Sequence, residues 1–109
     1  MNEQQRDELI ELISGDCSVR NRLINFFTGE TCVVGAMLKC VGIPEAQLKD
    51  YSTSTPGVYP VEWLQKLEEH FGLSIEQIRW YIISNDGNAN LNDRRQVLIG
   101  LTARIYDLA

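Results

Sequence analysis

Apolar and polar positions change period several times along this chain, and each change marks an element. Residues 32–41, Cys-Val-Val-Gly-Ala-Met-Leu-Lys-Cys-Val, carry a single charge, Lys39. A helix that is apolar almost all round has to be enclosed by others, so this stretch reads as the central helix of the fold. Thr31 can cap it, and Gly42 followed by Ile43 and Pro44 is a glycine stop. Gly35 costs such a helix about 1 kcal/mol relative to alanine. The expected compensation is close approach of another backbone to the small face made by Cys32, Gly35 and Ala36.

The flanking segments are one-sided. Glu3 to Ser14 reads as a helix capped by Asn2 and ended by Gly15, with Leu9, Ile10, Leu12 and Ile13 bunched behind a solvated acidic start. Pro44 opens a short helical turn to Asp50, and Tyr51-Ser52-Thr53-Ser54-Thr55-Pro56-Gly57 reads as a surface loop. Pro60 suits the first position of the next helix. There Val61, Leu64, Leu67 and Phe71 recur at helical spacing, with Trp63 on the flank and Gly72 at the stop.

Ser74 and Gln77 then form a capping box, and Leu73 and Ile78 hold the two staple positions. A hairpin competes, because Ile78, Trp80, Tyr81, Ile82 and Ile83 favour sheets and Asp86-Gly87 can turn. Cap and staple favour helix through about Ser84. Asn85 to Asn90 form a turn segment. A last helix follows from Leu91 to about Asp107, capped by Asn90, with Asp93 in its first turn and Leu98, Leu101, Ile105 and Leu108 as its buried stripe.

Residues 16–30 admit two readings. Asp16 can cap a helix that puts Val19, Leu23, Phe26 and Phe27 on one face, or 19–28 can form a short extended arm. Periodicity slightly favours the helix. The expected fold is all-α: one domain over residues 1–109, a compact bundle of about five helices around the buried central one.

Charge narrows the function classes. Ten Lys+Arg against fifteen Asp+Glu leave a net charge of -5, a poor match to nucleic acid, whose affinity comes from counterion release by basic groups. The pairs Arg20/Arg22 and Arg94/Arg95 are local exceptions. An acidic surface fits solubility or a basic partner protein better than DNA or a membrane. No apolar run approaches the length that spans a bilayer. The polar, acidic start and three cysteines without paired spacing fit a cytoplasmic protein.

Each tempting site has a plainer account. Cys32, at a helix start that lowers a thiol's pKa, could be a nucleophile with His70, the single histidine. No third orienting group is indicated, and Cys32 reads better as a small core residue and His70 as a surface one. Zinc ligands could come from Cys17, Cys32, Cys40 and His70, but none has the short spacing of structural zinc sites. Cys32 and Cys40 would point about 80° apart on a helix. Glu68 and Glu69 diverge by about 100° and read as a solvated face. A helix-turn-helix could be built on Phe71-Gly72-Leu73-Ser74, with 75–84 or 91–107 as recognition helix. However, Arg79 is the only base on the first of these. No catalytic, metal or cofactor-binding residues are therefore expected. Trp80 and Tyr81, with Tyr51 and Tyr59, could supply an aromatic contact surface for a partner protein.

The order Leu12-Ile13-Ser14-Gly15, Arg22-Leu23, Cys32-Val33-Val34-Gly35-Ala36, Phe71-Gly72-Leu73, Asn85-Asp86 resembles small uncharacterised proteins of bacteriophages and mobile elements. These carry a Ser-Gly helix end, a Cys-x-x-Gly helix start and an Asn-Asp pair before the last helix. Two departures stand out. Thr31 precedes Cys32 where members show a second cysteine or an aromatic, and Asp93-Arg94-Arg95 stands in a final helix that members keep acidic and aromatic. The resemblance implies no reaction, only a setting inside a bacterial cell. The shared residues also have structural readings. Asn85 can take the left-handed conformation that stops a helix, and Asp86 can accept backbone N–H groups in its own loop or at the exposed start of another helix; the expectation is that it fastens the loop before the last helix. The function expected is non-enzymatic binding of another protein, such as a host factor or defence component. The alternatives are a Cys32-dependent enzyme and a small DNA-binding protein.

Overall fold

A computed structural model describes residues 3–15, 17–53 and 56–107. Its described residues form helices α1 (Glu3–Gly15), α2 (Val33–Cys40), α3 (Glu45–Leu48), α4 (Val61–Phe71), α5 (Ile75–Asp86) and α6 (Leu91–Asp107), with a 3-10 turn at Pro56–Val58. The caps expected at Asn2 and Asp16, the loop residues Ser54 and Thr55 and the stripe's last member, Leu108, lie outside the described residues. The fold is all-α, as the patterning predicts.

The central helix is α2. Every residue from Val33 to Leu38 is buried, and α1, α4 and α5 all pack on it. It ends in a Schellman arrangement, with Gly42 N–H on the Lys39 carbonyl and Ile43 N–H on the Leu38 carbonyl, both 3.0 Å. Gly42 takes φ 96° there, a value that favours glycine. Its start differs from expectation by one residue. Cys32 is the N-cap, its Sγ accepting the Gly35 N–H at 3.3 Å, while Thr31 belongs to the segment before it.

That segment is the extended arm and not the helix that periodicity slightly favoured. Ile24 bridges Thr31 in antiparallel fashion, Val19 N–H donates to the Thr31 carbonyl at 3.1 Å, and Cys32 N–H donates to the Leu23 carbonyl at 3.2 Å. The chain reverses between them where Gly29 and Thr28 N–H groups return to the Asn25 carbonyl. Leu23 and Ile24 are buried because they pair with 31–32. Phe26 and Phe27 sit on the reversal and face out, Phe27 completely. The arm also supplies the close approach predicted at Gly35: a Cβ there would stand 2.0 Å from the Leu23 carbonyl oxygen.

α4 buries Trp63, Leu67 and Phe71. Val61, expected in its apolar stripe, is exposed. Trp63 takes the inward place because its ring meets Tyr51 at 4.8 Å and Tyr59 at 5.8 Å. Pro60 stands at the N-cap, one residue before the position expected. α5 has both bonds of the capping box, Ser74 N–H to Gln77 Oε1 at 2.9 Å and Gln77 N–H to Ser74 Oγ at 3.2 Å. The competing hairpin does not form. α6 is capped by Asn90, whose Oδ1 accepts Asp93 N–H at 3.1 Å. It lies along α1, the most extensive helix pairing in the fold. Buried apolar side chains of α1, α2, α4, α5 and α6 join in one cluster. No helix among the described residues is long and apolar enough to cross a membrane.

Candidate functional site

The motif residues Cys32, Gly35, Asn85 and Asp86 meet at the start of α2, where they form a structural hub. Asn85 is not the left-handed helix stop expected of it. It lies in the last turn of α5, fully buried, with its amide spent on long-range bonds. Its Oδ1 accepts the Val33 N–H at 3.1 Å, capping α2 from outside, and its Nδ2 donates to the Val19 carbonyl at 2.9 Å. Asparagine fits because it offers a donor and an acceptor on one short side chain.

Asp86 does accept a backbone N–H, but it fastens the arm and the loop after α3, not the loop before α6. Its Oδ1 accepts Asn21 N–H at 2.9 Å and its Oδ2 accepts the Thr53 hydroxyl at 2.6 Å. Arg20 donates through Nε and a terminal N–H to the Asp86 carbonyl, at 2.9 and 2.7 Å. A cation on the orphan carbonyls of a helix C-terminus is favourable. Asp86→Asn should keep the Asn21 bond and lose the charge-assisted one to Thr53, lowering stability by about 1–2 kcal/mol. A urea titration checks this, and an unchanged midpoint would count against the hub.

The proposed Cys32–His70 dyad is not assembled. Cys32 is 1% exposed, and burial pushes its thiol up to about 12. A protonated thiol sealed in a core is a poor nucleophile. Cys17 is likewise buried. His70 instead faces Cys40 and Glu8: its Nε2 lies 2.7 Å from Glu8 Oε1 and 4.0 Å from Cys40 Sγ. Cys40 Sγ lies 3.0 Å from that same Glu8 oxygen. Bonds from Cys40 and then His70 hold the Glu8 carboxyl below its usual value. Burial, with Glu8 beside it, pushes the Cys40 thiol up to about 11. Local spacing could not show this cluster, because its members come from α1, α2 and α4.

The four aromatics proposed as a contact surface separate. Tyr81 is buried in the core and bonded to Thr102 Oγ1 at 2.9 Å. Thr102 gives its own hydroxyl proton to the Leu98 carbonyl, so Tyr81 is the donor. Tyr59 is buried too, donating to the Ser52 carbonyl at 2.8 Å. Tyr51 is half-buried against Tyr59 and Trp63. Phenol groups that find internal acceptors can be enclosed, which is why these rings face inward. Trp80 alone remains available, 45% exposed. It borders a cleft of about 410 Å³ between α5 and α6, lined also by Gln77, Leu101, Arg104 and Ile105.

Of the basic pairs, Arg94 is buried and directs its guanidinium at the Cys17, Asn88 and Ala89 carbonyls, at 2.6, 2.9 and 3.1 Å. With Arg20 engaged as well, neither pair is a free basic patch. Comparison with protein families, curated proteins and solved structures gives no match for this chain.

Proposed function

We propose that this chain acts by binding another protein through the α5–α6 face, without catalysing a reaction. The observation that carries this reading is Trp80 standing half-exposed at the edge of an apolar-lined cleft. Tryptophan is enriched among residues that dominate protein–protein affinity, and a concave apolar surface with a few polar groups is the usual receptor for an anchoring side chain. Ile83, one turn along α5, and Val97, one turn from Leu101, extend the apolar area. Arg104 lines the cleft, whereas Arg79 faces the 3-10 turn on the other side of α5. Among the described residues Arg104 is the one charged side chain lining this cleft, and its sign is opposite to the chain's overall charge. The partner that fits presents an apolar side chain next to a carboxylate. In the bacterial setting implied by the phage-protein resemblance, that partner is a host factor or defence component.

Two competing readings find less support. An enzyme using Cys32 needs an accessible thiolate. A helix-turn-helix needs free arginines, whereas Arg94 is spent on main-chain carbonyls.

Affinity capture from bacterial lysate tests the proposal when wild type is compared with Trp80→Ser and Phe27→Ser. Loss of a hot-spot tryptophan should weaken the captured complex about thirtyfold or more, with little change in melting temperature. Phe27→Ser should leave capture intact. Loss through Phe27 instead, or full retention by Trp80→Ser, refutes the α5–α6 reading.

A further inference from the structure

We propose that Glu8, Cys40 and His70 form a mononuclear metal site of the zinc class, tying α1, α2 and α4 together and leaving one coordination position open to solvent. The inference is independent of the α5–α6 face. It rests first on convergence. Glu8 Oε1, Cys40 Sγ and His70 Nε2 all lie within 4.8 Å of one another, with separations of 2.7, 3.0 and 4.0 Å. Tetrahedral zinc, with bonds of about 2.3 Å to sulfur and about 2.0–2.1 Å to nitrogen and oxygen, places such donors about 3.3–3.6 Å apart. Each side of the triangle needs to change by only about half an ångström, within reach of side-chain rotation.

The donor set narrows the ion. One thiolate, one imidazole and one carboxylate suit zinc or a similar late first-row metal. Calcium and magnesium prefer oxygen throughout. Three protein ligands with a fourth place for water is the pattern of an open site. A cleft of about 520 Å³, lined by Cys40, Gly42, Lys66, Glu69 and His70 among others, lies beside the cluster and gives that place access to solvent.

The same geometry argues against a cysteine–histidine–glutamate relay. A relay sets the thiol on one ring nitrogen and the carboxylate on the other. Here one Glu8 oxygen contacts both the sulfur and the same Nε2 that faces the sulfur. Three donor atoms of these types within 4.8 Å of one another suit a cation.

The supports are rigid. The Schellman stop holds the end of α2 where Cys40 sits. Gln5 donates to the His70 carbonyl at 3.1 Å, and Phe71 packs edge-on against the His70 ring at 4.6 Å between centroids. Coordination replaces the Cys40 S–H bond with a metal–sulfur bond. The proton passes to buffer and no redox partner is needed.

Titration of the reduced, metal-free protein with cobalt(II) tests the site. One equivalent should bind and produce a thiolate-to-cobalt charge-transfer absorption that zinc(II) abolishes. Zinc at a hundredfold above its Kd should raise the melting temperature by about 10 °C. Cys40→Ser should remove the absorption, and His70→Gln should weaken binding by about a hundredfold or more. Circular dichroism of the metal-free variants controls for folding, and both positions are exposed enough to tolerate change. An absent band in the wild type, or a band that persists in folded Cys40→Ser, overturns the assignment.

Discussion

Gly35→Ala is expected to destabilise the protein by on the order of 4 kcal/mol, although the same change in an open helix normally stabilises by about 1 kcal/mol. The reversal of sign follows from the arm. A Cβ at Gly35 would stand 2.0 Å from the Leu23 carbonyl oxygen, 3.0 Å from its carbon and 3.1 Å from Thr31 Cβ. The nearest two of these are backbone atoms. The Leu23 carbonyl cannot swing aside freely, because it accepts the Cys32 N–H at 3.2 Å. Relief requires either breaking that bond or lifting the buried arm off α2. Gly100→Ala in α6 is the control, since nothing lies within 4 Å of a Cβ built there. It should gain up to about 1 kcal/mol. Urea unfolding of both variants measures the contrast. A Gly35→Ala loss below about 1 kcal/mol would mean that arm and helix are not in such contact.

The second large effect is expected at Asn85. Asn85→Leu keeps the side-chain size but removes both long-range bonds. It leaves the buried Val33 N–H and Val19 carbonyl without the partners they have at 3.1 and 2.9 Å. Each buried orphan costs about 1–3 kcal/mol, so a total loss of about 3 kcal/mol is expected. Amide hydrogen exchange sharpens the test. Protection at Val33 should fall further than at Ile78, which sits in α5 with its own helical partner on Ser74. Uniform retention of protection would show that α2 does not depend on this cap.

What was legible in the sequence follows from the range of the forces involved. The central helix could be read because its enclosure is written in its own composition, one charge in ten residues and a glycine stop. The start of α5 could be read because a capping box is a bond between residues three apart. The arm could not. Val19, Leu23, Phe26 and Phe27 have helical spacing, but Leu23 and Ile24 are held by pairing with residues beyond the reversal. Asn85 misled for a similar reason: its local preference for turns yields to two bonds reaching the arm and α2. Trp63 displaced Val61 from the core because its ring partners lie in a loop before the helix. The aromatic surface thinned to Trp80 once Tyr59 and Tyr81 found internal acceptors. Glu8, Cys40 and His70 stand 32 and 30 residues apart in the chain, and only helix packing assembles them.

The pairing of α1 with α6 sets the order in which this protein can be built. α1 leaves the ribosome well before α6, with Leu9 and Ile13 ready for burial, although α6 is its most extensive neighbour. Tyr106 donates to the Phe71 carbonyl at 2.7 Å, and Arg6 meets Asp107 at 2.7 Å. These contacts both need α6, and the Arg6–Asp107 pair closes a separation of 101 residues, so they come late to a growing chain. The arm pairs with the start of α2 at short range, Ile24 with Thr31, and these can meet earlier. During translation, therefore, α1 can be covered by α2 and α4 only in part, and the rest of its greasy side stays open to chaperones until α6 arrives.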